Sequence, residues 1–237
     1  MTNSLNFLFW CHDTASALLV RYLFTLKKII LIGAHLSFLG LFFPELRQDF
    51  GSVALSVLLF LLFLSPASKL FHMKLLYQLM GLRREMGILM GYLATVHVVG
   101  FLIDPDWFDF IITPYWPNDL LSMDARYQVG LLAYFLTLPL LVTSNAWANR
   151  VLGGKNWKRL HRLVYPLLLL ALFHKFLRGG AVPVQDIIMP TFIFMVYVVA
   201  KVLAEKNFLP PLERVIRFIA GRYQQYRVNM VAHEPPV

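Results

Sequence analysis

Residues 86–103 read MGILMGYLATVHVVGFLI, a stretch in which His97 is the only side chain that can carry charge near neutral pH. As a helix rising 1.5 Å per residue it is about 27 Å long, close to the roughly 30 Å hydrocarbon thickness of a bilayer. Arg83-Arg84-Glu85 stand before it and Asp104-Pro105 after it. The stretch therefore predicts a transmembrane helix with one histidine inside it.

Five further segments are apolar over roughly the length needed to span: Ile29–Phe43, Gly51–Leu64, Tyr127–Thr143, Leu163–Phe176 and Ile187–Leu203. The first, second and fifth are short and need tilt or interfacial residues to span. Pro44, Ser65-Pro66 and Pro210-Pro211 punctuate the ends, as helix stops should. The chain of 237 residues is 58% hydrophobic and only 15% charged, with a mean hydropathy of +0.62. Soluble domains carry about a quarter charged residues, so lipid is the natural solvent here. The expected fold class is all-α, a polytopic membrane bundle of six transmembrane helices. The expected organisation is an N-terminal segment over 1–28, a membrane domain over 29–203 and a tail over 204–237.

Charge sets the orientation. Of the 22 Lys and Arg, only Arg47, Arg126, Lys175 and Arg178 fall in the first, third and fifth loops. The positive-inside rule then places both termini in the cytoplasm. Asp104, Asp106, Asp109, Asp119 and Asp124 share one outer loop. The net charge of +9 is thereby explained without nucleic acid. In the tail, Leu212, Val215, Ile216 and Ile219 share a helical face beside Arg214, Arg217 and Arg222, which suits an amphipathic helix on the anionic leaflet. A disordered basic tail is the competing reading. Trp107, Phe108, Phe110, Tyr115 and Trp116 of the outer loop suit either a partner-docking patch or an ordinary aromatic belt.

The single cysteine, Cys11, leaves no internal disulfide and no CxxC site. No cleavage-site pattern follows Phe7–Trp10, so the first transmembrane helix is expected to direct targeting. GxSxG, Walker and HExxH motifs are absent. Lys and acidic residues are missing from the mid-membrane, which argues against a proton-coupled transporter.

The histidines carry the chemistry. His97 and His174 each lie eleven residues after the first core residue of their segment, Met86 and Leu163. Both helices run outward, so each imidazole sits about 16 Å into the membrane. Two neutral imidazoles at one depth on parallel helices can be the axial ligands of a haem iron. A lone membrane histidine often only packs and hydrogen-bonds; the depth match favours ligation. His161 lies about 20 Å nearer the cytoplasm on the helix of His174 and could serve a second haem. Its counterpart thirteen residues before His97 is Arg84, a poor iron ligand but a partner for propionates. Interfacial anchoring explains His161 equally well. Arg83, Arg84, Arg159 and Arg162 could hold propionates or an anionic flavin such as FMN, or simply enforce orientation. His35 suits packing better than ligation.

The segments Leu82-Arg83-Arg84-Glu85-Met86-Gly87, Ala94-Thr95-Val96-His97, Thr143-Ser144-Asn145 and Asn156-Trp157-Lys158-Arg159-Leu160-His161-Arg162-Leu163-Val164-Tyr165, closed by His174, resemble the ferric-reductase-like transmembrane domain. Within it the chain is most similar to the MsrQ (YedZ) group of haem-binding membrane subunits of periplasmic methionine-sulfoxide reductase systems. The similarity covers roughly residues 30–205. It implies b-type haem, with His97, His161 and His174 at the family's histidine positions and Arg84 replacing a fourth. It also implies a bacterial inner-membrane location and a periplasmic molybdenum-cofactor reductase as partner. Quinol or a cytoplasmic flavin reductase would be the electron donor.

After Leu203 there is no βαβ pattern and no GxGxxG fingerprint, so the chain is expected to be a relay rather than a self-contained NAD(P)H oxidase. Two rival readings stay open: a reductase of ferric chelates, and a non-redox transporter or assembly factor.

Overall fold

The computed structural model describes residues 2–106, 109, 125–177 and 184–206. Every regular element among them is helical. The elements are α1 (Thr2–Leu36), α2 (Arg47–Phe71), α3 (Lys74–Leu79), α4 (Arg83–Leu102), α5 (Ala125–Val142), α6 (Ala146–Leu160), α7 (Val164–Phe176) and α8 (Val184–Glu205). Short 3₁₀ turns cover Ser37–Phe42, Pro44–Leu46, Met80–Leu82 and His161–Leu163. The aromatic outer loop and the amphipathic tail expected from the sequence lie outside the described residues.

Among the described residues, four stretches are long and apolar enough to cross a membrane: Pro44–Phe71, Lys74–Leu102, Ala125–Val142 and Ile188–Glu205. Two of the six expected spans are not among them. The fifth falls on α7, whose 13 residues make only about 20 Å of helix. The first falls at the end of α1, which starts at Thr2 rather than near Ile29. Lys27 and Lys28 precede its apolar end, and the α-helical run stops at Leu36 before the 3₁₀ turn.

The described residues divide into two compact units, those of 2–23 with 63–81 and 199–206, and those of 24–62 with 82–198. In the first, the buried Ser16 hydroxyl donates to Gln78 Oε1 at 3.0 Å. Leu23 lies against Gly81, an ordinary van der Waals contact for any added Cβ.

The second unit holds the histidines. There α5 packs along α7 and also against α4. Leu58, Met90, Leu93, Val96, Leu140, Leu167, Leu168 and Leu172 form its buried core. Outward-facing side chains are just as apolar: Phe135 and Phe192 are each 62% exposed. In water such a surface would drive association, whereas lipid tails cover it at no cost. Arg47 begins α2 and is almost buried, forming an ion pair with Asp104 just beyond α4. That pair ties the start of one helix to the end of another.

Candidate functional site

A cavity of about 710 Å³ opens among α2, α4, α5 and α7. His97 and His174 both line it, with ring centroids 6.1 Å apart and planes at 68°. Each ring is held the same way. His97 Nδ1 lies 2.7 Å from the Arg47 carbonyl, and His174 Nδ1 lies 2.9 Å from the Arg126 carbonyl. A carbonyl only accepts, so each Nδ1 is the protonated nitrogen. In a neutral imidazole Nε2 then carries the lone pair. Among the described residues nothing hydrogen-bonds either Nε2.

Two glycines make room for the rings. A Cβ at Gly51 would stand 2.7 Å from His97 Nδ1, and one at Gly130 would stand 2.6 Å from His174 Nδ1. Each glycine lies four residues, one helical turn, after the arginine whose carbonyl holds the ring. Arg47-Gln-Asp-Phe-Gly51 and Arg126-Tyr-Gln-Val-Gly130 are thus the same device used twice. The register persists deeper: Ala54 and Ala133, then Leu58 and Thr137, are buried at matching positions of α2 and α5. On the histidine helices, Met90, Ala94 and His97 correspond to Leu167, Ala171 and His174, and all six line the cavity.

The fit to a haem can be tested on this geometry. Metal–imidazole bonds of about 2.0–2.1 Å, with the ring centre about 1 Å further, would let two imidazoles that hold one iron stand up to about 6 Å apart between centres. The observed 6.1 Å meets that requirement. An imidazole whose other nitrogen donates to a backbone carbonyl is the usual metal-binding arrangement. Among the described residues there is no cluster of three or more His, Cys, Asp or Glu. A two-histidine set suits an ion whose remaining ligands come from a macrocycle.

The other expected site residues are elsewhere. His161 stacks on Trp157 at 3.9 Å between centroids and lies 3.2 Å from Thr143 Oγ1. The Thr143 hydroxyl donates to the Pro139 carbonyl at 2.6 Å, so His161 Nε2–H donates to Thr143 Oγ1. The Trp157 indole donates to the Thr143 carbonyl at 2.9 Å, completing a local bracket. Arg84 pairs with its neighbour Glu85 at 3.1 Å. Neither His161 nor Arg84 lines the cavity. His35 is edge-on to Tyr92 at 5.3 Å and donates to the Leu31 carbonyl. Sequence reasoning passed over Gly51, Gly130, Arg126 and Lys175; the repeated Arg-x-x-x-Gly at the start of two apolar segments was the available signal.

Comparisons with known proteins bear on the family of the chain. A family model described as "Ferric reductase like transmembrane component" matches residues 50–172, which include both cavity-lining glycines and His97 but stop short of His174. The chain is 33% identical over 133 residues to the protein-methionine-sulfoxide reductase heme-binding subunit MsrQ of Azospira oryzae, covering 54% of this chain and 52% of that protein. It is 32% identical over 133 residues to the MsrQ of Xanthomonas campestris pv. campestris strain B100, covering 55% of this chain and 56% of that protein. Against the MsrQ of Caulobacter vibrioides it is 31% identical over 134 residues, covering 56% and 60% respectively. The chain thus spans about half the length of the curated relatives it matches. No solved structure is significantly similar to it.

Proposed function

This chain belongs to the ferric reductase like transmembrane component family, and from that premise we propose that it is a haem b electron-transfer subunit with His97 and His174 as axial ligands. The observation that carries the reading is the pair of imidazoles lining one cavity with ring centres 6.1 Å apart, each ring fixed through Nδ1 so that Nε2 is left with the lone pair. Haem, when bound, would supply a one-electron couple within an apolar setting.

The chain's own residues do the rest. The Arg47 and Arg126 carbonyls hold the tautomer that leaves Nε2 basic. Gly51 and Gly130 let two helix backbones approach the rings. Buried Val96, Leu168 and Leu172 close off the histidine helices behind them. The Phe101 ring sits edge-on to His97 at 5.2 Å and limits its rotation. His161 and Arg84 take no ligand role in this reading, because both are engaged away from the cavity.

The relatives are heme-binding subunits of protein-methionine-sulfoxide reductases. By analogy, this subunit takes electrons at the cytoplasmic side or from quinol and delivers them to a periplasmic reductase, of the molybdenum-cofactor type. The topology that goes with this is six spans in the bacterial inner membrane with both termini cytoplasmic, α7 being extended by the 3₁₀ turn before it.

Purified full-length protein tests the proposal. One haem b per chain, reduced by a quinol and reoxidised by a methionine-sulfoxide reductase partner, is the expected result. A folded chain that takes up no haem rejects it. A haem protein that reduces ferric chelates but no such partner selects the metal-reductase alternative.

A further inference from the structure

The cavity around His97 and His174 differs in chemistry from end to end. Near the start of α2 and α5 and the last turn of α7 it is lined by Ser52, Arg126, Tyr127 and Lys175. About two turns deeper the walls are Leu58, Met90, Leu167 and Thr137, whose hydroxyl already donates to the Ala133 carbonyl at 3.0 Å, and no cation stands there among the described residues. Arg126 and Lys175 are the only Arg or Lys among the described lining residues, and both stand at the polar end.

Both cations are built into the His174 bracket. Lys175 follows His174 directly in the chain, and its ammonium donates to Ser52 Oγ at 2.8 Å. An ammonium has three donors, so capacity remains for an anion. Arg126 accepts the His174 Nδ1–H through its own carbonyl. Its guanidinium lies over the Tyr127 ring at 4.6 Å and donates to the Tyr127 hydroxyl. The Glu45 carboxylate lines the same end and is the one acidic group there among the described residues.

Resting on the haem reading above, we propose that Arg126 and Lys175 bind the two propionate carboxylates, so that haem enters with its carboxylate edge toward the polar end. An ionised carboxylate buried against Leu58, Met90 and Leu167 would be left without a partner, at a cost far above that of turning the macrocycle round. At the polar end a guanidinium and an ammonium each supply a positive charge that a carboxylate can meet. This moves the anion site away from Arg84, which does not line the cavity.

The test compares two ligands in haem-depleted full-length protein, titrated with haem b and with its dimethyl ester while the Soret band is followed. Charge-assisted hydrogen bonds are worth about 1.5–3 kcal/mol, so the wild type should favour haem b by about 10- to 100-fold. Arg126→Gln with Lys175→Met should bring the two ligands close to parity while both still bind. Detergent partitioning of each ligand cancels when the preference is compared between proteins. Lys175→Met alone, at an exposed position, should lose part of the preference even if the double variant folds poorly. Arg84→Gln should keep all of it. A wild type that binds both ligands equally, or Lys175 and double variants that discriminate as the wild type does, overturns this inference alone. A wild type that binds neither ligand overturns the haem reading and this inference with it.

Discussion

Gly51 and Gly130 stand in the same relation to the two cavity histidines: a Cβ on either would come within 2.7 Å of an imidazole Nδ1. Real Cβ atoms do not approach that closely, and the contacted rings are held by backbone hydrogen bonds. The rings, not the helices, must therefore give way when either glycine is enlarged.

Gly51→Ala and Gly130→Ala should each displace a ring and break its carbonyl bond, costing about 1–3 kcal/mol of local packing. Haem content should fall several-fold, with a high-spin fraction in what remains, as read from the Soret band and haem-to-protein ratio. Gly87→Ala and Gly33→Ala, where nothing lies within 4 Å of an added Cβ, should leave both quantities unchanged. Normal low-spin haem in both cavity variants would mean that the rings are not fixed as described.

Asp104→Asn should uncouple α2 from α4. It leaves the nearly buried Arg47 guanidinium without its ionic partner, a loss of about 3–5 kcal/mol in fully buried cases and less here because Asp104 is 20% exposed. Because the Arg47 carbonyl also holds His97, thermal unfolding and haem release should both shift to lower temperature. A variant as stable as the wild type would show that the pair contributes nothing to the site.

His161→Ala should keep the haem-to-protein ratio and the low-spin spectrum of the wild type. The ring's Nε2–H is spent on Thr143 and its face on Trp157, so its loss should cost stability of about 1–2 kcal/mol through the broken bracket. Loss of half the haem on this substitution would establish a second haem at His161.

The helical fold and the pairing of His97 with His174 were legible because each leaves a one-dimensional trace. An apolar run of bilayer length has few alternatives, and two histidines eleven residues into their apolar segments were expected side by side, where their ring centres lie 6.1 Å apart. The expected spans at the end of α1 and at α7 are not among the stretches long and apolar enough to cross. The α-helical run of the one stops at Leu36, shortly after Lys27 and Lys28, and the turn at His161–Leu163 shortens the other. For His161, ligation and anchoring stayed level because sequence shows residue type and not partners. Its contact with Thr143, eighteen residues away at the other end of α6, is visible only in the fold. Gly51 and Gly130 went unread because a small residue in an apolar helix signals nothing until the neighbouring helix is in place. Arg126 and Lys175 look like interfacial charges until the cavity between their helices is seen.

The most direct test is the visible absorption spectrum of the full chain in detergent, oxidised and then reduced with dithionite, beside His97→Ala and His174→Ala. The account predicts a sharp low-spin b-type spectrum that either substitution abolishes and that added imidazole partly restores. A folded wild type that stays colourless after reconstitution with haem, or a low-spin spectrum untouched by either substitution, would contradict it.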